Sequence, residues 1–412
     1  MTADVIVCHL GARRHYAEAR MLAAHQRLSR FCTDICATTG WTSPLARLPG
    51  RLAPAALRRL AGRVPQGVPP GRIVTFPLFG LHSAFVRLAG RDGTDVTRHA
   101  IWAGQRFSRL VAGRGFEGAR GLYTISGEGL EMIEAAKAAG LWVAVDQINA
   151  PHEMLERLVA GERRRFPDWE AQGTTSAEVA RAFADREKAE WALCDVIVCP
   201  SEFVRQGIAA VGGPVEKCVV VPSGFDAAPL TGDRTRAPGP LRVLTAGAVG
   251  LRKGTPYVLE AAERLKGRAE FRIAGPIGIA AEPLDRLRAA VDVLGIVPRA
   301  GMAAQYAWAD VFLLPSVCEG SAMVVYEALA AGLPVVVTPN AGSVARDCED
   351  GFIVPLGDTD AIVARLGQLA GDEALRRTMS EAARRTAADH SVARYGERLL
   401  AALPSPPAER VR

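Results

Sequence analysis

Residues 315–340 read "PSVCEGSAMVVYEALAAGLPVVVTPN", a stretch apolar almost throughout that nevertheless carries two glutamates, Glu319 and Glu327. A carboxylate left unpaired in apolar surroundings costs several kcal/mol, so each needs a partner, a proton or a task. The flanking residues set the local structure. "DVFLLPS" enters as a continuous apolar strand, and Ser321 is expected to cap a helix over "AMVVYEALAA". Gly332 then supplies the C′ position, Pro334 forbids continuation, and "PVVVTPN" is the next parallel strand. In such a unit the strand's carboxyl end and the helix's N-terminus face the ligand crevice. Glu319 and Gly320 are therefore expected at the crevice lip, with the N–H groups of Ser321, Ala322 and Met323 as an anion site. Glu327 falls about two turns into the helix, where a pair of ligand hydroxyls would satisfy its carboxylate.

The same alternation runs along the chain. "DVIVCHL", "WVAVDQI", "DVIVCPS" and "CVVVPS" are separated by helical stretches, and "LRVLTAGAV", "AEFRIAG", "ADVFLLPS" and "PVVVTPN" repeat the scheme. Continuous apolar strands between helices argue for parallel sheets covered on both faces, so the fold class is α/β with two doubly wound, Rossmann-like domains and a cleft between them. "GFDAAPLTGDRTRAPGPLRV" (224–243) has the Gly, Pro, Asp and Thr content of a linker. It divides a first domain at 1–235 from a second at 241–385, and an amphipathic helix within 386–405 is expected to pack back across them.

Composition narrows the functional classes. The 412 residues are 49% hydrophobic and 23% charged, with no apolar run of membrane-spanning length. The N-terminus enters a strand at once and only then turns basic, the reverse of a signal peptide, so a cytoplasmic location is expected. The net charge of +6 rests mainly on scattered arginines, and aromatics are only 6%, which argues against nucleic acid and for anionic substrates or an anionic membrane surface. The eight cysteines form no CxxC pair and read as small buried hydrophobes. "LARLPGRLAPAALRRLAGRVPQGVPPGRI" (45–73) has two readings: a basic amphipathic helix making a peripheral membrane contact, or an arginine-faced helix packed on its own domain.

With these motifs assembled, the chain resembles the retaining glycosyltransferases of GT-B family 4. Glu319 and Glu327, with seven residues between them and followed by "ALAAGLPVV", look like that family's E-x7-E signature. "GAVGLRKGTPYVLEA" (247–261) resembles its basic phosphate-binding segment, "VVPSGFD" (220–226) its stretch before the linker, and "AEWALCDVIVCPSEFV" (189–204) its unit ending the first domain. "DGFIVPLGD" (350–358) resembles the turn after the signature. The resemblance spans roughly residues 185–390 and implies roles. Glu327 would accept from the ribose hydroxyls of a nucleoside diphosphate sugar, the co-substrate, with no other cofactor. Glu319 would sit by the sugar. Gly247, Gly254, Gly320, Ser321 and Ala322 would shape the donor site, and Lys253 with Arg252 would neutralise the leaving diphosphate without a metal.

Departures from that pattern are equally concrete. Ala248 stands where an arginine is usual, Ser223 replaces an asparagine, and the first-domain loop "HLGARRHY" has Gly11 alone where paired glycines are usual. His152 is the best match to a histidine near the transferred sugar. Asp146, at the end of "WVAVD", is either a base or a turn-former. The D-x-D pattern in "GDTD" (357–360) reads as a helix cap. The resulting expectation is a transferase moving a hexose-type sugar onto a glycan, lipid-linked or small-molecule acceptor. A non-catalytic nucleotide-sugar-binding protein is the alternative.

Overall fold

The computed structural model describes residues 3–38, 60–89, 94–170, 176–225 and 239–405. Eight of its described strands are the apolar runs named above; Leu28–Thr33, Ile73–Thr75, Gly121–Ile125, Asp292–Gly295 and Gly351–Ile353 are further strands, the last within the segment read as a turn. In the first half the strands are β1 (Val5–Cys8), β2 (Leu28–Thr33), β3 (Ile73–Thr75), β4 (Gly121–Ile125), β5 (Trp142–Asp146), β6 (Val196–Cys199) and β7 (Cys218–Val220). In the second half they are β8 (Leu241–Ala246), β9 (Ala269–Ala274), β10 (Asp292–Gly295), β11 (Val311–Leu314), β12 (Val335–Val337) and β13 (Gly351–Ile353).

Two parallel sheets result, ordered β3-β2-β1-β4-β5-β6-β7 and β10-β9-β8-β11-β12-β13. Both start at an inner strand, run outward, and restart on the other side of it. That reversal falls between β1 and β4 in the first sheet and between β8 and β11 in the second, the switch points at which open α/β sheets bind ligands. The inner strands Val5–Cys8, Gly121–Ile125 and Val311–Leu314 are buried at every position, as a sheet covered on both faces requires.

Two segments tie the halves together. The helix Val392–Ala402 returns to the first half, where Tyr395, Leu399 and Leu403 share a core with Tyr16, Leu22 and Phe31. Gly396 lies so close to Met21 that a Cβ there would stand 2.6 Å from its sulfur. In the opposite sense, the helix His152–Arg165 runs out of the first half and its C-terminal end docks on the second. Tyr257 donates to Glu162 at 2.6 Å, Ala280 N–H donates to the Trp169 carbonyl at 2.8 Å, and Trp169 is buried in the core built by Leu241, Val243 and Leu259.

Of the basic stretch 45–73, residues 45–59 lie outside the described residues. Within the remainder Val68 is buried and Arg72 donates to the Leu28 carbonyl at 2.6 Å, so this part is packed on its own domain. Most of the linker, 226–238, also lies outside the described residues.

Candidate functional site

The second sheet's switch point is built from the loops leaving β8 and β11. The first, Gly247–Gly254, folds tightly: Gly247 has φ 135° and Gly254 φ 69°, a left-handed value that glycine adopts at no steric cost. A Cβ on Gly254 would overlap the Pro315 carbonyl, so this glycine also permits the two loops to touch. Val317 N–H donates to the Arg252 carbonyl at 2.9 Å, and Gly250 N–H donates to Thr255 Oγ1 at 2.9 Å. The loops are thus stitched together before any side chain is placed.

That stitching brings three expected residues into one cluster. Lys253 Nζ lies 2.9 Å from Glu319 Oε1, and Arg252 Nη2 donates to the two Glu319 oxygens at 3.2 and 3.3 Å. Glu319 and Lys253 are 8% and 13% exposed, whereas Arg252 is 45% exposed. Burial lowers the Lys253 pKa, and the Glu319 carboxylate opposes that shift. The geometry is a buried lysine–glutamate pair with a more exposed arginine at its mouth.

The helix after Glu319 departs in detail from the sequence expectation. It spans Met323–Ala330, and its N-cap is Ala322, not Ser321. The Ser321 hydroxyl instead meets the Tyr326 hydroxyl at 3.0 Å, and the Ala322 N–H is already committed to the Ala341 carbonyl at 3.1 Å. The amides without an intrahelical acceptor therefore begin at Met323, one residue further along, and the expected role of the Ala322 N–H as an anion donor is corrected accordingly. The C-terminal end follows the expectation, with Gly332 at φ 69° and Leu333 N–H returning to the Ala328 carbonyl.

Glu327 is partly buried on this helix and has a protein partner that the sequence reading missed. The Tyr306 hydroxyl, from the helix Arg299–Trp308, donates to Glu327 Oε2 at 2.6 Å. Tyr306 is itself 2% exposed, and burial beside the carboxylate raises its pKa. One glutamate oxygen is thereby fixed, which orients the other.

Gly320 forms the lip between the domains. Its carbonyl accepts from Ser201 Oγ at 2.6 Å, and a Cβ on it would lie 2.8 Å from Asn149 Cα and overlap the Ile148 carbonyl. His152 is the first residue of the helix that follows the same first-domain loop. Its N–H donates to Glu187 Oε2 at 2.7 Å, while its ring packs 4.8 Å from Phe183 and its Nε2 lies 3.8 Å from Glu156 Oε1. Burial lowers its pKa. Asp146 is fully buried, 2.8 Å from Arg14 and accepting from Tyr123 at 2.6 Å, so it is an internal ion-pair residue.

The first-domain loop after β1 uses an unexpected device. Arg14, His15 and Tyr16 have φ values of 42°, 51° and 62°, three successive left-handed L-residues, each conformation costing about 1–2 kcal/mol. The buried Arg14–Asp146 pair and the Tyr16–Phe31 contact hold the turn in place. It carries His15 across to the second domain, where Arg299 Nη1 and His15 Nε2 are 2.8 Å apart. The amides of Leu10 and Gly11 are taken by Glu128 and Asp34 at 2.9 and 3.0 Å. In "GDTD", Asp358 accepts from Ala361 N–H at 2.9 Å as a helix cap and Asp360 pairs with Arg264 at 2.8 Å.

Residues 240–372 match the family described as glycosyl transferases group 1. Among curated relatives, the chain is 30% identical over 198 residues to WcaL of Salmonella typhimurium, whose name assigns it to colanic acid biosynthesis as a glycosyltransferase; the match covers 43% of this chain and 48% of that protein. It is also 30% identical over 191 residues to the amylovoran biosynthesis glycosyltransferase AmsK of Erwinia amylovora, covering 42% and 47%. The chain thus spans about half the length of the curated relatives it matches. Across 96% of its length it superposes on 98% of Anabaena Alr3699/HepE in complex with UDP, with a TM-score of 0.60 and 13% identity. The architecture is GT-B: two Rossmann-like α/β domains with parallel sheets.

Proposed function

We propose that the protein is a retaining, metal-independent glycosyltransferase that moves a hexose from a nucleoside diphosphate sugar to a glycan or lipid-linked acceptor in polysaccharide biosynthesis. The observation that carries this reading is the Glu319–Lys253–Arg252 cluster at the second sheet's switch point, directly ahead of the helix bearing Glu327. Its geometry suits a diphosphate. An incoming anion would draw the exposed Arg252 away from Glu319 first, leaving buried Lys253 to share its charge between carboxylate and phosphate. The open amides of Met323 and Val324, ahead of the Val325 N–H that is taken by the Ala322 carbonyl, supply further donors at the phosphate. Charge growing on the diphosphate as the glycosidic bond breaks would then meet fixed cations, and Glu319 would stabilise the oxocarbenium-like sugar. The free oxygen of Glu327 would accept from the ribose, with Tyr306 holding the other. The family relatives' names support polysaccharide synthesis, and the UDP bound to HepE supports a uridine donor.

The non-catalytic reading draws on one observation: the Leu10 and Gly11 amides are occupied by the chain's own carboxylates. Turnover decides between the two. The purified protein should release UDP from a UDP-hexose slowly without acceptor, and Glu319→Ala should abolish that release. A protein that binds UDP but never hydrolyses or transfers the sugar is a binding protein.

A further inference from the structure

The helix Pro77–Ala89 follows β3 directly and so starts at the carboxyl, cleft-facing edge of the first sheet. It is held to the body by Phe79, whose ring packs 6.0 Å from Trp102 and 6.3 Å from Phe107, and by Gly80, where a Cβ would meet Ile35 at 3.0 Å. Leu78, Leu81 and Phe85, at spacings of three and four residues, point elsewhere and are 84%, 45% and 71% exposed. Single exposed apolar side chains need no explanation, but a stripe of this kind on one helix does.

Its neighbour, the helix Thr94–Ala112, exposes Arg98, Arg106 and Arg109. Over the two helices, 77–89 and 94–112, Asp95 is the one acidic residue, against Arg87, Arg98, Arg106 and Arg109. This combination selects the partner. A second copy docking through the same face would bring two net cationic surfaces together, with one carboxylate per copy against four arginines. A surface with an apolar interior and an anionic face matches both features.

We propose that the helix Pro77–Ala89 is the docking element for an anionic lipid bilayer, inserting Leu78, Leu81 and Phe85 among the acyl chains while the arginines of the neighbouring helix meet the headgroups. A bilayer at this edge would present a lipid-linked acceptor to the first-domain side of the cleft.

The test is sedimentation with sucrose-loaded vesicles of phosphatidylcholine alone or with 30% phosphatidylglycerol, comparing wild type with Leu78→Glu/Phe85→Glu. Circular dichroism melting checks that the variant folds, and sedimentation velocity reports self-association. The expected result is binding to anionic vesicles, weakened in 0.5 M salt and reduced at least about tenfold in the double variant, which loses two of its three inserted apolar side chains. Equal binding by wild type and variant, binding to neither vesicle, or a dimer that the double variant dissociates would overturn the proposal. No donor is needed in this assay, so its failure would leave the nucleotide reading standing.

Discussion

Replacing Gly320 by alanine tests how closely the domains must approach. The new Cβ would stand 2.8 Å from Asn149 Cα, against about 3.5–4.0 Å for comfortable carbon contact, and closer still to the Ile148 carbonyl. The opposing atoms are backbone and cannot rotate away, so loop 147–149 must retreat by about 1 Å. Gly320 belongs to the second domain and the loop to the first, so the retreat widens the cleft and also strains the Ser201–Gly320 bond of 2.6 Å. A misplacement of this size costs up to about a hundredfold in a step that needs two reactants aligned. Nucleotide contacts assigned to the second domain alone should hardly change. We therefore expect Gly320→Ala to lower kcat for sugar transfer by roughly ten- to a hundredfold, with the Kd for UDP within about twofold by isothermal titration. An unchanged kcat would refute the claim that chemistry requires this approach.

Tyr306→Phe removes the hydroxyl that fixes Glu327 and should weaken UDP binding by about 1 kcal/mol, measured by calorimetry; unaltered affinity would detach Tyr306 from the site. Lys253→Ala should weaken nucleoside diphosphate binding by about 1.5–3 kcal/mol, roughly ten- to a hundredfold in Kd, and full affinity would remove Lys253 from the donor site. Arg14→Met leaves Asp146 and Glu18 buried without their cation and should destabilise the fold by about 3–5 kcal/mol in urea denaturation; a cost below about 1 kcal/mol would show the network to be unimportant. His9 is fully buried and its pKa is lowered by burial from 6.5 to about 4. The unfolded chain therefore takes up a proton that the folded chain refuses, so its contribution becomes unfavourable as pH falls from 6.5 towards 4. At about 1.4 kcal/mol per pKa unit, wild type should lose about 2–3 kcal/mol more than His9→Leu between pH 7.5 and 4.5. Equal losses in the two proteins would exonerate His9.

The apolar strands were legible because buried parallel strands must be apolar throughout, and "DVIVCHL" and "DVFLLPS" have no other comfortable home; strands such as Leu28–Thr33 and Asp292–Gly295 carry polar residues and were not. The site was legible to the extent that it follows from strand ends: Glu319, Lys253 and Arg252 meet because two loops leave adjacent strands at the switch point. Long-range partners were not. Tyr306 sits in an unremarkable alanine-rich helix, and only the packing of that helix beside Glu327 gives its hydroxyl a use. Ser321 has the right chemistry for a cap, but the Ala341 carbonyl reaches the Ala322 amide and Tyr326 claims the hydroxyl. The docking of Trp169 on the second core depends on where helix His152–Arg165 points. Nothing in "ARRHY" signals a left-handed turn, since local preference opposes it and the compensation comes from the long-range Arg14 network and the Tyr16–Phe31 contact.

The most direct measurement is a thermal-shift titration of wild type and Glu327→Gln with UDP, GDP, ADP and CMP, each with and without EDTA. We expect one diphosphate to raise the melting temperature of wild type equally in both conditions, and Glu327→Gln to lose most of that rise while its ligand-free melting stays close to wild type. If no nucleotide moves wild type, the Glu319–Lys253–Arg252 cluster is a structural ion pair and the donor site is not there.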